Sequence, residues 1–290
     1  MELFRALAVL AEPPERAGAG RVAEALGLGP LPEQSAYTDT FVFQLYPYAS
    51  VYLGAEGMLG GEARDRVAGF WRALGQAPPT EPDHLPVMLA LYARLCEFEA
   101  GESGAPAREG WRGARRAFLW EHLLSWLPAF LDKLAEVAPP FYRHWGETLD
   151  AALAEETQAV GPLDELPLAL REAPPARGPR EVAAGEFLSA LLAPARSGLI
   201  LTRADLGRAA RSLGLGLRAG ERRFALEALL GQDAPAVLGW LAVEARAWAS
   251  RHSRRRDAHG SVAAWWSERA ATTAALLESL SEEAGRGARE

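Results

Sequence analysis

The sequence predicts an all-α protein, and three observations support this. Apolar residues recur every three or four positions along most of the 290 residues, as they do on one face of an α-helix. The strict alternation of apolar and polar residues that is typical of half-buried strands is nearly absent. The one stretch with β propensity, residues 40–54, contains Pro47, which disfavours a strand. We therefore expect one helical bundle domain with additional C-terminal helices.

A predicted helix over residues 62–75 follows from apolar spacing and from a stop signal. One apolar stripe is followed by a glycine stop, at Val67, Phe70, Trp71, Leu74 and Gly75.

Residues 81–95, "EPDHLPVMLALYARL", open the next helix with unusually polar chemistry. Asp83 as N-cap would accept a hydrogen bond from the Leu85 amide, and Pro86 would lie in the first turn, where its missing N–H costs nothing. A capping box from Thr80 to Asp83 is the alternative, but it would place Pro86 deeper in the helix. Neither arrangement explains Glu81 or His84.

Two further helices complete the first half of the chain. Residues 115–136 carry an apolar stripe interrupted by Pro128, which predicts a kink or a new helix capped by Ser125. Residues 141–158 predict another amphipathic helix.

The stretch 161–180 holds five prolines and two glycines, a composition typical of a linker or an extended connection. We therefore predict a helical domain over 1–160, a Pro-rich connection over 161–180 and a helical extension over 181–290. Helices in the extension are expected near 181–194, 203–213, 219–230, 234–252 and 259–283. Thr202 and Asp205 have capping-box spacing at the second of these.

Composition limits the classes of protein that remain. The single cysteine, Cys96, excludes an intrachain disulfide. The N-terminus lacks the basic leader of a secretory signal, and no uncharged apolar run approaches the ~20 residues of a membrane helix. We therefore expect a soluble, cytoplasmic protein. Residues 1–160 carry 22 acidic and 13 basic side chains, a net charge of −9, whereas residues 161–290 carry 16 and 18, a net charge of +2. The first half should attract cationic partners.

Motifs for catalysis or cofactor binding are missing from the sequence. Neither a P-loop nor G-x-G-x-x-G is present, and no serine lies in a nucleophile-elbow pattern. Cys96 lies near the apolar side of its helix and is best interpreted as a structural thiol. Glu81, Asp83 and His84 could offer metal ligands, but their spacing matches no zinc motif. We expect no enzyme activity, no cofactor and no metal.

Nucleic-acid binding is the alternative function to weigh. Residues 196–256 hold 12 arginines against 5 acidic residues, and the helices near 203–213 and 219–230 have a helix-turn-helix outline. Solvated arginines on helix surfaces would give the same pattern, so we expect nucleic acid not to be a partner.

Three segments together resemble the TorD/DmsD/NarJ family of redox-enzyme maturation chaperones. They are "YPYASVYLGAEGMLGGEARDRVAGFWRALG" (46–75), "EPDHLPVMLALYARL" (81–95) and "FLWEHLLSWLPAFLDKLAEVAPPFYRHWGETL" (118–149). The second is similar to the family's Glu-Pro-x-Asp-His signature. The chain departs from the family by continuing for about 130 residues after position 160, and Tyr48 stands where many relatives carry tryptophan.

The resemblance implies a TorD-like helical chaperone that binds the precursor of a molybdopterin oxidoreductase, often at its twin-arginine signal peptide, before cofactor loading and export. A homodimer is compatible with it. The family's Asp-His pair falls on Asp83 and His84, and its proline–aromatic element on Pro47, Tyr48, Ser50 and Tyr52.

A physical hypothesis follows for the peptide site. Carboxylates at Glu81 and Asp83 could bind the two guanidinium groups of the leader, with His84 orienting a carboxylate or bonding the peptide backbone. Tyr48, Tyr52 and Trp71 would supply apolar and cation–π surface. The same residues could instead only cap a helix and fix a loop.

Overall fold

A computed structural model describes residues 2–55, 57–162 and 165–287. Within these ranges the structure is helical without strands, which confirms the predicted all-α class. Its elements are α1 (Glu2–Leu10), α2 (Ala19–Ala25), α3 (Gln34–Tyr37), a π-helical segment (Thr38–Gln44), α4 (Ala49–Leu53), α5 (Gly61–Ala73), α6 (Leu85–Gly101), α7 (Ala105–Phe118), a second π-helical segment (Leu119–Leu124), α8 (Leu127–Val137), α9 (Pro140–Val160), α10 (Leu168–Glu172), α11 (Ala184–Leu192), α12 (Pro194–Ser197), α13 (Arg203–Leu213), α14 (Arg222–Leu230), α15 (Ala234–Arg254) and α16 (Arg256–Gly287), which breaks at Gly260. In the described ranges no helix is long and apolar enough to cross a membrane.

The chain forms two compact units. Unit 1 comprises Met1–Ser50 and Leu59–Arg171, and unit 2 comprises Val51–Met58 and Glu172–Glu290. The division at the Pro-rich stretch, with a domain over 1–160 and an extension over 181–290, stays a prediction.

Aromatic side chains form the centre of unit 1, where α1 packs against α6 and α9. Trp145 on α9 is fully buried and donates its indole N–H to the Leu7 carbonyl at 3.1 Å. Phe41, from the first π-helical segment, meets Tyr142 edge-on, with ring centres 4.8 Å apart. This aromatic core anchors the segment that leads into Pro47, so the fold positions the predicted site.

Unit 2 is built around α15 and α16, which pack along each other. The His252 ring lies 5.1 Å from the Trp248 ring and 5.5 Å from the Trp266 ring, and its Nε2 is 3.1 Å from the Gly198 carbonyl oxygen. The capping box predicted at the start of α13 is confirmed, because Thr202 and Asp205 each bind the other's backbone N–H. This box fixes the start of α13 within the unit.

The prediction made at Pro128 is confirmed in one part and wrong in another. A new helix does begin there, since α8 starts at Leu127 with Pro128 in its first turn. The predicted Ser125 cap is wrong: the Ser125 hydroxyl instead donates to the Glu121 carbonyl at 2.9 Å, and Trp126 occupies the N-cap position. The carbonyl one turn earlier is the nearer acceptor for a serine that is still inside helical backbone.

The chain after α9 remains attached to unit 1 through specific hydrogen bonds. Trp120 donates its indole N–H to the Gly161 carbonyl at 2.9 Å, and Arg116 binds the Pro162 carbonyl. The Leu168 N–H donates to Glu121 at 2.8 Å. Unit 1 therefore extends as far as Arg171.

Candidate functional site

A short antiparallel backbone pairing holds the two predicted motifs together. Tyr48 and His84 face each other in an isolated antiparallel bridge. The Ala49 N–H donates to the Asp83 carbonyl at 3.0 Å, and the Leu85 N–H donates to the Pro47 carbonyl at 2.8 Å. In unit 1, residues 34 to 38 positions apart in sequence are thereby brought into contact.

Asp83 does not cap α6, so the cap predicted from the sequence is wrong. His84 occupies the N-cap position and makes no side-chain cap hydrogen bond, while Pro86 lies in the first turn as predicted. The Asp83 carboxylate instead accepts the Ser50 backbone N–H at 3.1 Å, and the Leu85 N–H is already bound to Pro47. Because the loop at Pro47 supplies the acceptor for Leu85, the Asp83 carboxylate is available to fix the start of α4.

Ser50 continues this buried chain of hydrogen bonds. Its side-chain oxygen accepts the Gly60 N–H at 3.1 Å, so Asp83, Ser50 and Gly60 are linked in series. Asp83 is 2% exposed and Ser50 is fully buried. These two predicted site residues therefore shape the site rather than face solvent.

Tyr48, Glu81 and His84 form the accessible part of the site. The Tyr48 and His84 rings stack at 4.6 Å with an interplanar angle of 20°. The Tyr48 hydroxyl donates to the Glu81 carboxylate at 3.1 Å. Glu81 is exposed, whereas the two rings are half-buried. The arrangement presents one carboxylate beside a flat aromatic surface.

The protonation state of the site follows from burial. Burial lowers the pKa of His84, against the opposing influence of Glu12, Glu81 and Asp83, so the ring is neutral at pH 7. Burial also raises the pKa of the Tyr48 phenol, and its hydrogen bond to Glu81 adds to this. The site thus carries negative charge without a compensating imidazolium, which suits a cationic ligand.

The other predicted site residues, Pro47, Tyr52 and Trp71, have environments unlike that of Tyr48, Glu81 and His84. Pro47 is buried and serves through its carbonyl. Tyr52 is 2% exposed and belongs to unit 2, and burial raises the pKa of its phenol. Trp71 lies on α5, half-buried, with an indole Nε1 that is buried and has no hydrogen-bond partner among the described residues. No contact brings Trp71 to Tyr48 or His84 within the described part of the chain.

Sequence reasoning missed an apolar surface just before the site. Val42, Phe43 and Tyr46 are 42%, 61% and 38% exposed. Apolar residues in a run are normally interpreted as core, so their exposure carried no sequence signal. They directly precede Pro47 and Tyr48 on the chain and are candidates for contact with an apolar ligand.

The alternative ligands find less support in the structure. In the described ranges no group of three or more His, Cys, Asp or Glu side chains is placed to hold a metal ion. At least seven of the 12 arginines in 196–256 bond within the protein to a carbonyl, a carboxylate or a serine hydroxyl, as seen for Arg196, Arg203, Arg208, Arg222, Arg223, Arg246 and Arg254. These contacts explain much of the basic composition without nucleic acid.

We expect Asp83→Ala to lower the free energy of unfolding by about 2 kcal/mol, because it leaves the buried Ser50 N–H without its acceptor. Urea denaturation followed by circular dichroism measures this change. Asp65→Ala is the matched control, since Asp65 is exposed and its ion pair is with its neighbour Arg64; it should cost less than about 0.5 kcal/mol. Equal losses in both variants would contradict the structural role of Asp83.

Comparison with known proteins adds independent information. Residues 17–132 match the family model described as nitrate reductase delta subunit. The chain is similar to a protein named Chaperone protein TorD from Vibrio vulnificus, with 36% identity over 98 residues, which cover 31% of this chain and 44% of the relative. A second protein of that name, from Shewanella amazonensis, is 31% identical over 141 residues, covering 40% of this chain and 55% of the relative.

The matches cover only part of this chain and only part of each relative. The chain spans about half the length of the curated relatives that it matches. No solved structure matches the chain significantly. The matched family region includes all of the residues from Pro47 to His84 that form the candidate site.

Proposed function

We propose that this protein is a maturation chaperone for a molybdopterin oxidoreductase, because residues 17–132 match the family model described as nitrate reductase delta subunit and the three motifs resemble the TorD/DmsD/NarJ family. It acts without catalytic turnover. It binds the precursor of the catalytic subunit in the cytoplasm, at a twin-arginine leader, and holds it until the cofactor is loaded and export can begin.

The observation that carries the proposal is the exposed Glu81 carboxylate beside the stacked rings of Tyr48 and His84. A guanidinium can form a bidentate, charge-assisted pair with a carboxylate and also stack on an aromatic ring. A neutral His84 adds no repulsive charge and offers a ring nitrogen to the peptide backbone.

A twin-arginine leader also has an apolar segment, and exposed apolar side chains close to Tyr48 in sequence support binding of that segment. Val42, Phe43 and Tyr46 expose apolar surface on the chain just before Tyr48. The net charge of −9 in residues 1–160 favours encounter with a basic peptide. Apolar contact should dominate affinity, so we expect binding to weaken only moderately with salt, whereas nucleic-acid binding would fall steeply.

The proposal gives the two acidic residues of the motif different roles. Glu81 is exposed and can meet the peptide directly, whereas Asp83 is buried and holds Ser50. Glu81→Gln should weaken binding of a twin-arginine peptide by about tenfold, the loss of one charge-assisted hydrogen bond. Isothermal titration calorimetry measures the Kd, and the melting temperature should remain unchanged.

Two controls make this test specific. Glu147→Gln removes another exposed carboxylate of unit 1, on α9, and should leave the Kd unchanged. A peptide with two lysines in place of the arginines should bind more weakly to wild-type protein but respond less to Glu81→Gln, because lysine does not form the bidentate pair. If Glu81→Gln and Glu147→Gln have equal affinities, the site assignment fails.

The identity of the client requires a separate experiment. A tagged pull-down from the native cell, followed by mass spectrometry, should recover a molybdopterin oxidoreductase subunit. Its recovery should fall with Glu81→Gln. If the wild-type protein instead recovers nucleic acid, or recovers no such subunit from cells that express one, the chaperone function is contradicted.

A further inference from the structure

A cleft in unit 1 lies between α1 and α2 and is lined by residues between positions 2 and 26. Its volume is about 760 Å³, within the roughly 300–1,000 Å³ of small-molecule sites in proteins. Apolar side chains of the two helices form its walls, namely Leu3, Ala6, Val9, Val22, Ala25 and Leu26. All six are at least partly exposed. An apolar ligand in the cleft would therefore cover surface that water now contacts.

Small residues keep the cleft open. Ala6 lies between Leu3 and Val9 on one face of α1, and Ala25 lies one turn after Val22 on α2. Both alanines are partly exposed, so no side chain of their own fills the space between the helices. A larger residue at either position would occupy the volume that a ligand needs.

The charged residues of the cleft lie at its two ends. Arg16 belongs to the loop between the helices and Arg21 to the first turn of α2. A Cβ at Gly18 would lie 3.8 Å from the Arg21 Nη2, so this guanidinium lies against the loop. Glu2 borders the cleft at the first residue of α1, about 12 Å from the last at the usual rise per residue.

One positive charge at the loop end is left for a ligand. Arg16 is paired with Glu12 at 2.9 Å. Arg21 is exposed and has no ion pair among the described residues. A ligand with one negative charge at this end matches Arg21, whereas a second anionic group at the far end would meet Glu2. The cleft is therefore complementary to an apolar chain with a single anionic head.

We propose that this cleft binds a free medium-chain carboxylic acid. Its carboxylate pairs with Arg21, since a guanidinium offers a carboxylate two parallel N–H donors. Its alkyl chain lies along Val9, Ala6 and Leu3, and burial of its CH₂ groups supplies the rest of the affinity. The length of α1, nine residues, suits a short alkyl chain better than a helix of another protein. A single uncompensated arginine also suits a carboxylate better than a doubly charged phosphate monoester.

The first test compares ligands on the wild-type protein by isothermal titration calorimetry. Decanoate, kept below its critical micelle concentration, should bind saturably with one molecule per chain. Hexanoate, with four fewer CH₂ groups, should bind at least tenfold more weakly. Decyltrimethylammonium has the same chain with a cationic head and should also bind more weakly than decanoate. Decanoate heat that does not saturate, or equal affinities for the anion and the cation, would overturn the proposal. A saturable response to anionic vesicles that exceeds the response to decanoate would overturn it as well.

Variants then locate the ligand. Arg21→Gln should raise the Kd for decanoate about fivefold, the upper range for an exposed ion pair, and should abolish the preference for decanoate over decanol. Ala6→Phe fills the cleft and should raise the Kd at least tenfold. Arg143→Gln, at an exposed arginine of α9, is the matched control and should bind as wild type does.

The melting temperature of each variant shows whether it folds. If Ala6→Phe does not fold, the comparison of decanoate with decanol on Arg21→Gln still decides. An unchanged decanoate Kd in either folded variant would overturn the proposal. Glu81→Gln should leave decanoate binding unchanged, so the outcome is independent of the proposed leader site.

Discussion

Gly198→Ala should lower the free energy of unfolding by about 3 kcal/mol or more, the largest stability effect that we expect from one methyl group in this chain. Gly198 has φ of +76°, in the left-handed region. A Cβ at this position would lie 2.4 Å from the backbone nitrogen of Ala270 and 2.7 Å from its Cα. The clash involves main chain on α16, so no side-chain rotation relieves it.

A second glycine separates the clash from the backbone strain. Gly214 has φ of +68° as the C-cap of α13, but nothing lies within 4 Å of its would-be Cβ. Gly214→Ala should therefore cost only the left-handed conformation, about 1 kcal/mol. Urea denaturation of both variants measures the difference. If the two substitutions cost the same, the close approach at Gly198 does not contribute to stability.

The second large effect is a loss of stability in acid that we attribute to His122. Burial lowers the pKa of His122 to about 4, and the charge of Arg66 contributes in the same direction. The ring lies 5.4 Å from the Phe70 ring and 5.2 Å from the Phe118 ring. Since the unfolded chain binds this proton at about pH 6.5, the stabilisation is present above that pH. It is lost as the pH falls from about 6.5 to about 4, and the loss reaches about 3 kcal/mol.

The variant His122→Leu separates the contribution of His122 to the pH dependence of stability from that of other titratable groups. Between pH 7 and pH 4.5, wild-type protein should lose about 2 kcal/mol more stability than His122→Leu, which cannot take up the proton. His144→Gln, at an exposed histidine of α9, should behave as wild type. If His122→Leu loses as much stability in acid as wild type, the pH dependence has another origin.

The helices of this protein were largely predictable from spacing, because helix periodicity is a local property of the sequence. Residues 62–75 and 203–213 were predicted close to α5 and α13 as they stand. The proline inside the apolar stripe of residues 115–136 predicted a kink or a new helix, and a helix does begin at Leu127. Periodicity could not show that the "FVFQ" run lies in a π-helical segment whose Val42 and Phe43 side chains are exposed, since its pattern is equally compatible with core.

The candidate site was predictable in its residues but not in its bonds. A capping interpretation of Asp83 used only neighbours in sequence. The bond that forms instead joins Asp83 to Ser50, 33 positions earlier, and depends on the Leu85 N–H finding the Pro47 carbonyl. Rules that use only neighbouring residues cannot detect that a distant part of the chain competes for the N–H at a helix start. Family resemblance brought Ser50 and Asp83 together in one prediction without specifying the hydrogen bond between them.

The membership of Val51–Met58 in unit 2 has a consequence for synthesis on the ribosome. This segment buries Tyr52, and at Gly57 it approaches Ala193 so closely that a Cβ would lie 2.9 Å from the Ala193 Cα. Ala193 is translated about 136 residues after Gly57, a delay on the order of ten seconds at ordinary elongation rates. During that interval the part of unit 2 that follows Arg171 is not complete, so the segment lacks its packing partners in that unit. A nascent chain arrested at Arg171 should therefore remain sensitive to protease between residues 51 and 58, and release of the finished protein should remove that sensitivity.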